Sequence, residues 1–138
     1  MIRTQQKIVQ VAIAGNDENA KANCKDFLPV ILPTIRNTLV FNDGKELLKT
    51  CENTQPDIGL FILDLVPIKG VATAKKIRSI PEYKTTPILF FSKEFIDLSV
   101  LLSIKVTFKD DEYMFFCKKD DSWNDFVSVI PKIMTVRS

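Results

Sequence analysis

The sequence predicts an α/β domain built on a doubly wound parallel sheet, for three reasons. Short apolar runs at residues 8–14, 38–41, 58–65, 88–91 and 113–117 are rich in Ile, Val and Phe with little polar alternation, as suits strands covered on both faces. Segments of helical period lie between these runs, so that about five strands alternate with about five helices, the pattern of parallel strands joined by right-handed crossovers. The chain is also long enough: 138 residues, 46% hydrophobic, 9% aromatic and 26% charged, describe one globular domain with a sizeable core.

The first run, 8–14, leads into a segment where Cys24, Phe27, Leu28 and Ile31 recur at helical spacing from Ala20 onward. Pro29 is expected to kink or shorten that helix, and Pro33 to end it. After the second run, Asp43 and Glu46 form a capping box that opens a helix carrying Leu47, Leu48 and Cys51. Gly70 precedes the next helix, whose stripe is Val71, Ala74 and Ile77. Residues 93–104 are densely apolar and read as a buried helix, whereas 105–112 read as an irregular, charged connection. The last helix is expected from Asp121 or Ser122, burying Phe126, Val129, Ile130 and Ile133; Pro131 interrupts it with no reason visible in the sequence. Without a repeat, a low-complexity tract or a Gly/Ser linker, residues 1–138 read as a single domain with nothing marking a second.

The absent residue type excludes the most. There is no histidine, which removes Ser-His-Asp and Cys-His pairs, histidine metal clusters, phosphohistidine carriers and a titration switch near neutral pH. Nineteen basic against seventeen acidic residues give a net charge of +2, too balanced for binding nucleic acid or anionic lipid mainly through charge. Cys24, Cys51 and Cys117 are widely spaced with no CxxC pair, so they read as reduced, packed thiols. MIRTQQKIVQ lacks the apolar core of a signal peptide, and no uncharged run approaches the ~20 residues of a membrane span. A soluble cytoplasmic protein is the expectation.

Polar residues enter the apolar runs mainly near their ends. The first run is followed by Gly15, Asn16, Asp17 and Glu18; the third holds Asp64; the fourth is followed by Ser92 and the fifth by Lys118 and Lys119. In a parallel sheet these ends share one edge, where such folds place their sites. A carboxylate inside FILDLV costs several kcal/mol of desolvation unless a cation or hydrogen-bond donors meet it. Lys119 can supply one charge, and a divalent ion held with Asp17 or Asn16 another, since Mg²⁺ takes oxygen-rich, partly hydrated sites. These parts suit phosphoryl transfer to Asp64, with the metal and lysine neutralising phosphoryl oxygens and the Ser92 hydroxyl donating to one. Plainer alternatives stand beside each role. Asp64 can cap a loop or pair with Lys119, Ser92 can bond nearby backbone, Lys118 and Lys119 can be a solvated edge, Asp17 and Glu18 can open a helix, and Phe116 and Trp123 can be packing residues.

With those residues in place, the whole chain resembles the receiver domain of bacterial response regulators, of the single-domain chemotaxis type. LFILDLVPIKG resembles the phosphoacceptor strand and loop, KKIRSIPEYKTTPILFFS the following helix and the strand ending in a hydroxyl, FNDGKELL the second strand-helix junction, and KDDSWNDFVSVI the lysine segment. The resemblance implies a flavodoxin-like five-stranded parallel sheet in the order 2-1-3-4-5. It also implies Asp64 as phosphoacceptor, Ser92 as switch hydroxyl, Lys119 (or Lys118 in its stead) as the phosphate-binding lysine, and Phe116 as switch aromatic. Mg²⁺ would be held by Asp64 with Asp17 and Asn16. A histidine kinase or phosphotransfer protein would lie upstream and a protein target downstream, and any enzymatic activity would go no further than self-phosphorylation from a donor and self-dephosphorylation. Trp123 is expected to lie near Lys119.

Three departures bear on this chemistry. The acid pair after the first strand is replaced by Gly15 and Asn16, or by Asn16 and Asp17 on a one-residue shift; losing one charged ligand weakens a hold on Mg²⁺ roughly ten- to a hundredfold. The loop after Asp64 is shorter, with Pro67 and Gly70 arriving early and no acid before the glycine. Asp120 stands where a proline follows the lysine, and a cis peptide there would cost about 2.5 to 4 kcal/mol without proline. Two other readings follow: a degenerate receiver acting as a phosphorylation-independent protein-binding module, and a small flavodoxin-like ligand binder or enzyme. The second lacks a Gly-rich phosphate loop.

Overall fold

The computed structural model describes residues 9–64, 69–92, 98–118 and 123–137. In chain order the elements are β1 (Gln10–Ala14), α1 (Glu18–Ile31), β2 (Asn37–Phe41), α2 (Gly44–Thr54), β3 (Leu60–Asp64), α3 (Lys69–Arg78), a 3-10 turn (Pro81–Tyr83), β4 (Ile88–Ser92), α4 (Leu98–Thr107), β5 (Met114–Lys118) and α5 (Asn124–Arg137). The strands pair in parallel in the order β2-β1-β3-β4-β5. Each central strand is buried on both faces, and its side chains divide by the two-residue period of a strand. Phe61, Leu63 and Phe90 face a core with Leu47, Leu48 and Cys51 of α2 and Val71, Ala74 and Ile77 of α3. Leu60, Ile62, Leu89 and Phe91 face the opposite core with Cys24 and Leu28 of α1 and Phe126, Ile130 and Ile133 of α5. The edge strand β2 differs from the expectation for its run, since its residues are only half-buried or exposed.

The expected capping box is present at α2: Asp43 Oδ1 accepts from Glu46 N at 2.9 Å, and Glu46 Oε2 accepts from Asn42 N at 3.1 Å. Both internal prolines are absorbed. α1 continues past Pro29 to Ile31, and α5 continues past Pro131; Leu28 and Leu32, like Ile130 and Ile133, are fully buried beside them, so core packing holds turns that the missing N–H weakens. All three cysteines are buried and free. Burial pushes the Cys51 thiol up, against the opposing effect of its hydrogen bond with Tyr83. Tyr83 is likewise raised by burial and by the neighbouring Cys51, and its hydroxyl donates to Pro56 O at 2.7 Å.

The segment after β4 is where the reading of 93–112 needs correction. Residues 93–97 lie outside the described part, and α4 runs on to Thr107, through the start of the stretch expected to be irregular. Nor is the helix buried. Leu98, Leu102 and Val106 are 66%, 53% and 76% exposed, while Ile104 is buried. A helix apolar all round reads as buried from composition alone; this one has a core on only one side.

Beyond α4, at the end of the sheet where the strands begin, Arg78 binds the chain together. It is 12% exposed, pairs through Nε and Nη2 with the Asp111 carboxylate, and donates from Nη1 to Tyr83 O and Thr86 O, both at 2.7 Å, and from Nη2 to Tyr113 O at 3.3 Å. The planar fork of a guanidinium is suited to such a convergence.

Candidate functional site

The carboxyl ends of the strands form one rim. Ala14 is in register with Phe41 on one side and Leu63 on the other, Asp64 with Phe91, and Ser92 with Lys118. Asp64, Ser92 and Lys118 are therefore the last residues of three consecutive strands, Ser92 lying one position beyond the level of Asp64. Both Asp64 and Ser92 are buried. The side chain of Lys118, and residues Lys119 and Asp120 altogether, lie outside the described part, so neither the lysine's aim nor the peptide after it belongs to this geometry.

Beside Asp64 lies a crevice of about 30 Å³ lined by Ala14, Gly15, Asn16, Asp43, Gly44, Leu63, Asp64, Gly70 and Thr73. Its tightest contact is between Gly15 and Asp64. A Cβ on Gly15 would stand 2.6 Å from Asp64 Cβ and 3.2 Å from Oδ2, so any side chain at position 15 requires Asp64 or the turn to move. Asn16 lines the crevice. Asp17 does not; it is the N-cap of α1, with Oδ1 accepting from Ala20 N at 3.0 Å, and its carboxylate is oriented toward the helix start it stabilises. Glu18 follows in the first turn, as a helix N-terminus favours.

These residues do not fit Mg²⁺. The ion takes six oxygens at about 2.0–2.1 Å, carboxylates foremost among the protein's share, and the carboxylates on the described lining of the crevice are those of Asp43 and Asp64. Of the acids lining the crevice, Asp43 already caps α2 through Oδ1. Among the described residues no group of three or more Asp, Glu, His or Cys is placed to hold a metal ion.

Three residues of this rim lie outside the site read from the sequence, where Asp43 is only a helix cap. Asp43 and Thr73 line the crevice, and Thr73 packs so tightly under α2 that a Cβ on Gly44 would come within 2.1 Å of its Oγ1. The third is Lys21 of α1, 2% exposed, whose Nζ donates to Glu18 Oε1 at 2.9 Å, Asn42 Oδ1 at 3.1 Å and Phe41 O at 3.4 Å. Its sequence signal was its place: three residues before Cys24 and seven before Leu28, on the buried stripe of α1. Phe116 is half-buried, its ring 5.5 Å from that of Phe90. Trp123 is buried between Phe27 and Phe126, each 5.6 Å away between centroids. Its φ of +59° is a strained conformation for a bulky residue, fixed here by those two rings and by Val127 N donating to Trp123 O at the start of α5.

No family model matches the sequence, and no curated protein matches it. Solved structures do match its fold. A LuxR-family two-component response regulator from Aurantimonas is similar at a TM-score of 0.71 and 15% identity, over 95% of this chain and 88% of that one. The chemotaxis protein CheY4 of Vibrio cholerae is similar at 0.71 and 17%, over 91% and 98%. The response regulator TrrA of Thermotoga maritima, solved in complex with Mg²⁺ and BeF, is similar at 0.66 and 17%, over 91% and 99%. With its five parallel strands in the order 2-1-3-4-5, the chain has the fold of response regulator receiver domains.

Proposed function

We propose that this chain is a receiver-fold signalling module that works by protein-protein contact without a phosphorylation cycle at Asp64. One observation carries the reading: Gly15 packs directly on Asp64, where a Cβ would stand 2.6 Å from the Asp64 Cβ, so backbone takes the place where the resembling family has an acid. Among the described residues no group of three or more Asp, Glu, His or Cys is placed to hold a metal ion beside Asp64. The contact surface would be α4, where Leu98, Leu102 and Val106 follow one another at four-residue spacing and are all exposed. An apolar helical stripe of that kind suits a partner protein with a complementary apolar groove.

A second reading keeps Asp64 as phosphoacceptor, served by a histidine kinase or phosphotransfer protein, with Ser92 and Lys118 or Lys119 binding the phosphoryl group. The placement of Asp64, Ser92 and Lys118 at the ends of three neighbouring strands favours it. A small-molecule binder is poorly supported at this crevice, since ligand pockets run to several hundred Å³.

Intact mass measurement after incubation with Mg²⁺ and acetyl phosphate separates the first two. The expected result is an unmodified chain under conditions that label an active receiver. A single phosphoryl adduct that disappears in Asp64→Asn would overturn the proposal and establish the second reading.

A further inference from the structure

We infer that Lys21 is a tethered cation: its ammonium fills a small oxygen-lined cation site that fastens the turn after β1 to the turn after β2, and without it that site takes a soluble cation. The inference goes beyond the proposed function and does not use Asp64.

Three kinds of oxygen converge on Lys21 Nζ: the Glu18 carboxylate at 2.9 Å, the Asn42 side-chain amide at 3.1 Å and the Phe41 carbonyl at 3.4 Å. Carboxylate, amide and backbone carbonyl oxygens are the hard donors that small cations select. The three also come from different parts of the rim, and Phe41 and Asn42 are each held by a further bond. Glu18 opens α1, next to its Asp17 cap. The Phe41 carbonyl accepts from Gly15 N at 3.3 Å as well as from Lys21, so one acceptor is shared between the ammonium and the backbone of the turn that packs on Asp64. Asn42 is fixed by its own N–H to Glu46 Oε2 at 3.1 Å. The ammonium is thus the hub on which α1, the Gly15 turn and the β2–α2 junction meet.

Packing alone would ask for a different residue here. Lys21 is 2% exposed on a stripe shared with Ala20, Cys24 and Leu28, where an apolar side chain of its size would avoid the desolvation of a charge. What an apolar chain cannot do is meet three oxygens at once. Glu18, 77% exposed, and Asn42 are exposed residues, while the third oxygen is the main-chain carbonyl of half-buried Phe41, which cannot turn away to water as a side chain can.

The test uses the full chain and thermal melts of the wild type, Lys21→Ala and Lys21→Met. Both substitutions take the charged donor from Asn42 Oδ1 and Phe41 O and are expected to lower Tm by roughly 4–9 °C. In Lys21→Ala, propylammonium or Ca²⁺ at about 10 mM, tenfold above a millimolar Kd, should restore about 4 °C in a saturable way. In the wild type, and in Lys21→Met whose side chain fills the space, the same cations should shift Tm by less than about 1 °C. A Lys21→Met protein as stable as the wild type would show that the charge is dispensable, and absence of any cation-dependent recovery in Lys21→Ala would show that the oxygens form no site; either overturns the inference. Should neither variant fold, Asn42→Ala decides: a Tm loss of roughly 3–6 °C is expected from removing one oxygen, and an unchanged Tm overturns the inference. A Mg²⁺ response of the wild type that Asp64→Asn abolishes belongs to the crevice instead, and counts against the proposed function while leaving the tethered cation standing.

Discussion

Two cations, Lys21 buried and Arg78 largely so, sit at opposite ends of the same sheet and solve different problems. Arg78, where the strands begin, spends a rigid planar fork on one carboxylate and three carbonyls drawn from the 3-10 turn, the approach to β4 and the approach to β5. Lys21, where the strands end, gathers three oxygens around a single point charge. A fork with fixed directions resists replacement by anything but itself; a point charge surrounded by oxygens can be mimicked by another cation. The end that holds Arg78 is therefore read as fixed framework, while the end that holds Lys21 borders the crevice and the exposed turns where a signal would be given or received.

The largest expected effect falls on the framework end. Arg78→Met strands the Asp111 carboxylate and three carbonyls and should cost about 3–5 kcal/mol, measured by urea unfolding; Arg78→Lys should recover less than about half of that, because a single ammonium cannot reach all four acceptors. Full recovery with lysine would erase the distinction between fork and point charge. At the other end, Gly15→Ala should cost roughly 1–3 kcal/mol, since its Cβ would press on Asp64. A neutral result would mean that the Gly15 turn yields easily and that a larger side chain could be accommodated beside Asp64.

Alkaline pH sharpens the contrast without mutation. Cys51 and Tyr83, between α2 and the 3-10 turn, both have raised pKa values, chiefly from burial, against 9.0 and 10.0 for the free groups. The unfolded chain loses these protons first, so stability is complete below about pH 9 and declines as pH rises toward the folded values. Urea midpoints measured from pH 7 to 11 should show that decline, and Tyr83→Phe should shrink it while costing about 1 kcal/mol for the bond to Pro56 O. A pH-independent midpoint would contradict the raised values. The smallest effect is on α4: Leu102→Glu should change stability by no more than about 0.5 kcal/mol, since the side chain is 53% exposed. A large loss would mean that the stripe is core, and would withdraw α4 as a contact surface.

Much of the fold was legible because parallel strands advertise themselves. The runs 8–14, 58–65 and 88–91 each became a strand, and these end at the rim in Ala14, Asp64 and Ser92, while the Asp43–Glu46 spacing located the start of α2 within a residue. The site was legible in part, through Asp64 and through the missing acids at Gly15 and Asn16. What stayed hidden has a common cause. A lysine or arginine in a helix normally lies in water, so neither Lys21 nor Arg78 is distinguished by type, and apart from the place of Lys21 on the buried stripe of α1 it is their partners, at Phe41, Asn42 and Asp111, that reveal them. Asp17 illustrates the reverse ambiguity, since a carboxylate before a helix can serve a metal or a cap, and here the Ala20 N–H takes it. The α4 stripe was misread because hydropathy says how apolar a segment is and nothing of what covers it.

The reach of Arg78 also has a consequence in time. Its farthest acceptor, Tyr113 O, lies 35 residues later in the chain, so a nascent polypeptide leaving the ribosome carries an incomplete clamp until that residue emerges, about two to seven seconds afterwards at ordinary elongation rates. During that interval the first three strands and their helices already exist as chain, but the knot that closes the lower edge of the sheet does not, and the half-made domain must hold together without it.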